Sequence, residues 1–140
     1  MPFDDEDPPY VEPDRETDEL AHATLGACIE VHRHTGAGLD ESIYSNALRI
    51  ELRKRNIPFA CEVIVPVLYK GEKVGEKRID FIIGGKLVLE LKAVEQLMPV
   101  HSAQVRTYLK LTKLGLGLLV NFNVAILKHG IKRIINSSMN

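Results

Sequence analysis

The sequence predicts an α/β domain in the order helix, helix, three strands, helix, strand, and three observations carry that reading. Two stretches with helical apolar spacing, residues 17–34 and about 39–55, open the folded part. A valine- and isoleucine-rich block from Phe59 to Lys92 is interrupted only by glycine-containing turns. A further helix-period stretch after Pro99 then runs into the apolar segment LGLLVNF.

Taken in order, MPFDDEDPPYVEPDRE is acidic, rich in proline and poor in aliphatic residues, so residues 1–16 are expected to form a flexible tail. Residues 17–140 are then a single domain, long enough to build a core without disulfides. Thr17 is the expected N-cap of the first helix, with Asp18 and Glu19 in its first turn and Leu25, Cys28, Ile29 and His32 along one face. His32 is read as a packed or hydrogen-bonded histidine and Glu30 as a surface carboxylate. Thr35-Gly-Ala-Gly38 stops that helix. The second helix follows, with Ile43, Ala47, Leu48 and Leu52 apolar, Arg49, Arg53 and Lys54 outside, and Glu41 and Tyr44 neighbours at its start.

FACEVIVPVLYK reads as a strand whose Pro66 implies an edge position. Lys70-Gly71-Glu72-Lys73 turns the chain into strands at 74–83 and 86–92. Pro99 suits a first helical turn, and the helix it opens carries His101, Gln104 and Tyr108 in one polar stripe, with His101 read as a surface residue. LGLLVNF is expected to be buried on both faces, and AILKHGIKRII to give a further strand or hairpin.

Charge is unevenly placed. The formal net charge is −1, yet residues 1–19 hold nine acids and one arginine, a sum of −8, leaving +7 on the remainder. A basic folded part suits a polyanionic partner, although a modest lysine excess is also common on ordinary domains. No run approaches a membrane span and the N-terminus has neither the basic nor the apolar region of a signal peptide, which predicts a cytoplasmic chain. Cys28 and Cys61 lack any CxxC or Cys/His spacing and read as buried thiols. There is no phosphate-cradling glycine loop and no GxSxG element.

The chemistry concentrates in RIDFIIGGKLVLELK, Arg78 to Lys92. Strand alternation places Ile79, Phe81 and Ile83 on one face with Leu87, Leu89 and Leu91, and Asp80 on the other with Glu90 and Lys92. A two-residue Gly84-Gly85 turn would set Asp80 opposite Leu89. A three-residue Gly84-Gly85-Lys86 loop sets Ile83 opposite Leu87 and Asp80 opposite Glu90, which respects the faces. Two converging carboxylates repel, and one Lys92 ammonium does not easily neutralise both; a divalent cation with oxygen ligands would. The alternative is a strand face bearing ordinary surface charges.

An Asp on the second strand and Glu-X-Lys on the third, between a helix and a helix-strand unit, resembles the core of the PD-(D/E)XK nuclease superfamily, with Ile79 where the family motif has proline. Gly38-Leu-Asp-Glu41-Ser-Ile-Tyr44 is similar to the motif of its GxxExxY group, and Gln104 and Tyr108 to the QxxxY signature of RecB-like nucleases. The resemblance implies a restriction-endonuclease-like αβββαβ core, a mixed central sheet flanked by helices, with an extra N-terminal helix. It implies Mg²⁺ or Mn²⁺ held by Asp80, Glu90 and the Leu91 backbone carbonyl, with Glu41 completing the site directly or through water. Lys92 would position the attacking water, and Gln104, Tyr108 and Tyr44 would support the site or contact substrate. The implied activity is phosphodiester hydrolysis of DNA, or less readily RNA. The alternative is a module of the same fold that binds nucleic acid without turnover. A homodimer is expected from apolar surface on the first helix.

Overall fold

The computed structural model describes residues 13–136. Residues 1–12 of the expected flexible tail lie outside the described residues, whereas Asp14 to Glu16, assigned to the same tail, cap and open the first helix instead. Helix α1 spans Arg15–Thr35, and α2 spans Glu41–Lys54. Strands β1 (Phe59–Tyr69), β2 (Glu72–Ile83) and β3 (Leu87–Lys92) follow, then α3 (Pro99–Thr112) and β4 (Leu116–Asn121). A short 3-10 helix, Leu127–Gly130, leads into β5 (Ile131–Ile135), so the last apolar segment supplies one strand and no hairpin.

The five strands form one mixed sheet in sequence order, antiparallel except between β3 and β4. The β3–α3–β4 crossover makes that pair parallel. Two hydrophobic clusters lie on opposite faces. Beneath α1 and α2, Val31, Leu48 and Leu52 pack on Phe81, Leu89, Leu91 and Leu118. Beneath α3, Val105 and Leu109 pack on Val88 and Leu119. All of β4 is buried, as expected for a strand covered on both sides. Among the described residues no helix is long and apolar enough to cross a membrane.

The cap of helix α1 lies three residues before the expected point. Asp14, and not Thr17, is its N-cap: the Asp14 side chain accepts from the Thr17 backbone N–H at 2.7 Å, leaving the Thr17 side chain buried. Lys86, in the hairpin loop, bridges to both Asp14 and Glu16, which docks the start of α1 on the sheet. The buried face of α1 is Ala21, Thr24, Ala27, Cys28, Val31 and His32, whereas Ile29 is exposed. His32 bonds the Val124 carbonyl through Nε2 at 2.8 Å, the packed role expected of it. On α2 the buried residues are Tyr44, Leu48 and Leu52, and Ile43 faces outward. Cys28 is buried, its thiol pushed up to about 12 by desolvation; Cys61 is only half-buried.

Between β2 and β3 the pairs are Ile83–Leu87, Ile82–Val88 and Phe81–Leu89, the register of the three-residue loop. Gly84 and Gly85 both have positive φ, 58° and 70°, which side-chain-bearing residues adopt only with strain. The alternation inferred for β2 nevertheless breaks at Asp80. Phe81 and Ile83 join the α1/α2 core as expected, but Ile79 packs into the α3 core with Val88 and Val105. Opposite, Cys61 and Val63 divide between the same two cores. The β1–β2 ladder pairs Cys61 with Phe81 and Val63 with Ile79 but skips Glu62 and Asp80, and Glu62 sits at φ 53°. The register is unchanged across this gap, so the left-handed Glu62 interrupts the ladder without slipping it, and sequence alternation carries no sign of it.

Candidate active site

The β2–β3 ladder stops at Phe81–Leu89, one residue short of the pair that matters. Beyond it the two carboxylates replace the missing backbone partners. Asp80 Oδ2 accepts from the Leu91 N–H at 2.9 Å, and Glu90 Oε1 from the Asp80 N–H at 3.4 Å. The convergence of Asp80 and Glu90 is thus locked by cross-strand side-chain to backbone bonds. In a strand the N–H and C=O of one residue point to the same edge, so the Leu91 carbonyl also opens toward the side vacated by β2. Lys92 Nζ stands 3.8 Å from Glu90 Oε2, with the Lys92 side chain 16% exposed and that of Glu90 5%.

The closeness of the two carboxylates is electrostatically expensive. Glu90 is raised to about 8, first by desolvation and then by the Asp80 charge; Lys92 offsets part of the shift. Asp80 is raised by burial, with the Leu91 N–H and Lys92 opposing. Glu41, in the first turn of α2, is raised by burial and by Asp80. Perturbed carboxylates gathered in this way are typical of functional sites.

Tyr44 supports the site from within the core. Its ring is fully buried and stacks on Phe122 at 4.6 Å, while its hydroxyl donates to the Gly36 carbonyl at 2.6 Å and accepts from the Leu39 N–H at 3.2 Å. It therefore pins the loop that delivers Glu41 and does not reach the carboxylates by those bonds. Tyr108 lies on the buried face of α3, its hydroxyl pushed up to about 12 by desolvation and then by Glu90 and Asp80, with a hydrogen bond to Gln104 opposing. Gln104 and His101 line a cleft of about 450 Å³ with Lys92 and Lys77. His101 also accepts the Met98 N–H on Nδ1 at 2.9 Å, so it caps α3 as well as edging the cleft. A second cleft, of about 350 Å³, contains Glu41, Asp80, Arg49, Glu62 and Arg78.

Asn121 escaped the sequence reading. Nearly fully buried at the end of β4, it accepts the Val94 N–H on Oδ1 at 3.0 Å and donates through Nδ2 to the Val94 carbonyl at 2.9 Å. With the Phe122 N–H on the Lys92 carbonyl at 2.8 Å, it fixes the backbone on which Lys92 stands. The only sequence signal was a polar residue ending an otherwise apolar strand.

Asp80, Glu90 and the Leu91 carbonyl are hard oxygen donors, and the raised carboxylates lack sufficient positive charge. A divalent cation retaining several waters needs one or two carboxylates, which this pair provides. Among the described residues no three His, Cys, Asp or Glu side chains form a metal-binding cluster, so Glu41 does not join the pair as a third direct ligand in this conformation. The pair itself fits.

Fold and side chains together are those of a nuclease-like α/β domain. A family model of the PD-(D/E)XK nuclease superfamily matches residues 18–134, and the chain belongs to that superfamily, with its restriction-endonuclease-like fold. Members of the superfamily generally use divalent metals. Among solved structures, the crystal structure of SSO0001 is similar at 24% identity and a TM-score of 0.47. The match covers 84% of this chain and 55% of that one, so this chain spans about half the length of SSO0001. No curated protein matches it.

Proposed function

We propose that the protein is a Mg²⁺- or Mn²⁺-dependent nuclease acting on DNA, within the GxxExxY group to which Gly38, Glu41 and Tyr44 point. The observation that carries this reading is the Asp80–Glu90 pair, held by reciprocal bonds to the facing backbone, with Lys92 beside it. Burying two like charges costs several kcal/mol unless compensated, so a chain with no use for the pair gains nothing from it. Asp80, Glu90 and the Leu91 carbonyl would hold the cation, and Glu41 would reach it through water. When bound, the cation lowers the pKa of its water and polarises a phosphoryl oxygen. Lys92 orients the attacking water and stabilises the charge that develops on the phosphate. Gln104, which lines the cleft beside Lys92, donates a hydrogen bond toward the strand being cut, and the buried Tyr108, hydrogen-bonded to Gln104, orients it. The expected homodimer now rests on exposed Ile29, Ile43 and Ile50, since most of the apolar face of α1 is spent in the core.

The test is metal-dependent cleavage of supercoiled, linear, single-stranded and branched DNA, with RNA as a comparison. Lys92→Ala should abolish cleavage while leaving most of the Mg²⁺-induced rise in melting temperature, because lysine contributes no ligand. Glu41→Gln should lower both. Wild-type cleavage by Lys92→Ala on every substrate would show that the mechanism is wrong, and nucleic-acid binding without any turnover would leave the non-catalytic module.

A further inference from the structure

The second cleft contains an arrangement that the hydrolytic residues do not use. Glu62 spreads its carboxylate across two guanidinium groups: Arg49 Nη2 donates to Oε2 at 3.0 Å, and Arg78 Nη1 to Oε1 at 3.3 Å. Arg49 comes from α2 and Arg78 from β2, so the pair is assembled by the tertiary fold. The same cleft is lined by Glu41 and Asp80.

Two features set this triad apart from an ordinary surface ion pair, and a third leaves it easy to open. Glu62 holds a left-handed backbone at φ 53°, which costs a non-glycine residue energy, and such residues concentrate at ligand clamps. Arg49 keeps Nε buried with no hydrogen-bond partner, so its guanidinium is committed to the cleft yet incompletely satisfied. Glu62 itself is half-exposed, and its bonds to the arginines are of the kind that cost little to break. A carboxylate bridging two arginines also marks where another oxyanion fits, because guanidinium donors bind carboxylate and phosphate oxygens with the same geometry.

We propose that Arg49 and Arg78 form a phosphodiester-binding subsite, occupied by the Glu62 carboxylate in the free protein and taken over by a backbone phosphate of the nucleic acid other than the one cut. This rests on the nuclease reading for its substrate class. Glu62 is then a placeholder that keeps the two arginines aimed and apart until the strand arrives. When the strand binds, Glu62 swings toward solvent and each guanidinium gains a phosphate oxygen.

Binding can be read without turnover, by titrating one labelled DNA duplex across a salt series with wild type and variants. Glu62→Gln removes the competing charge and should tighten binding at low salt about fivefold, the worth of one exposed ion pair. It should also steepen the slope of log affinity against log salt by about one, the increment of one phosphate contact. Glu72→Gln makes the same charge change on the same hairpin outside the cleft and serves as control. Arg78→Ala, at an exposed position where folding is not at stake, should weaken binding, and Glu62→Gln/Arg78→Ala should lose the gain. Equal effects of Glu62→Gln and Glu72→Gln, a gain that survives Arg78→Ala, or no measurable binding by any of these proteins would each overturn the subsite. An arginine-dependent gain in a protein that cuts nothing would instead keep the subsite and sink the nuclease reading.

Discussion

Burial and the neighbouring Asp80 raise Glu90 from 4.5 to about 8, so near neutral pH the metal-free native state retains a proton that the unfolded chain has released. Stability linked to this group is fully present below about pH 4.5 and is lost as pH rises through about 8. The loss is on the order of a few kcal/mol. Metal-free wild type should therefore melt at a lower temperature at about pH 8.5 than at about pH 5, and Glu90→Gln, which carries no charge, should narrow that difference. Millimolar Mg²⁺ should restore wild type at the higher pH and leave Glu90→Gln almost unmoved, since a ligand stabilises the state that binds it. Parallel pH curves for the two proteins in a chelator would show that Glu90 is not the source. At this scale Asp80, Glu90 and Lys92 were legible because period-two alternation and loop parity fix which side chains share a face. The Tyr44 hydroxyl was not, because its partners, Gly36 and Leu39, depend on how the loop before α2 folds back.

The hairpin connecting β2 to β3 sets the site at the level of elements, since its three-residue loop is what puts Asp80 opposite Glu90 rather than Leu89. Gly85→Ala keeps the loop length but strains a residue at φ 70° with open space around it, so it should cost about 1 kcal/mol, read as a small drop in melting temperature. Deleting Gly85 leaves a two-residue connection that shifts the pairing by one and sends every β2 side chain to the wrong face. Thermal unfolding should then lose its cooperative transition; a deletion variant as stable as Gly85→Ala would mean that the loop does not set the register. The same strand pair shows where sequence reading fails. Unbroken alternation places Ile79 with Phe81, yet Ile79 packs in the α3 core where the ladder is interrupted beside the left-handed Glu62, a residue type that rarely adopts that conformation.

Across the whole molecule, the −8 of residues 1–19 opposes the +7 of the remainder, but the fold divides those nine acids into two groups. Asp14 caps α1 and bridges to Lys86, Glu16 also bridges to Lys86, Asp18 bonds Arg133, and Glu19 pairs with Arg15. These four are therefore part of the domain. The remaining five, Asp4, Asp5, Glu6, Asp7 and Glu12, carry no balancing base in residues 1–12. A tethered anionic segment has a high effective concentration beside its own domain and competes with phosphate for the same lysines and arginines. Screening within about 8 Å at physiological ionic strength limits that competition, so it should be felt mainly at low salt. Deleting residues 2–12, which spares Asp14 and the Lys86 bridges, should tighten non-specific DNA binding at low salt, with the gap to the full chain closing as salt rises. Deleting residues 2–16 would also remove the α1 cap and confound the comparison with a loss of stability. Titrating both proteins with one labelled duplex decides the matter: superimposable affinities at the lowest salt would leave the acidic segment with no part in substrate binding.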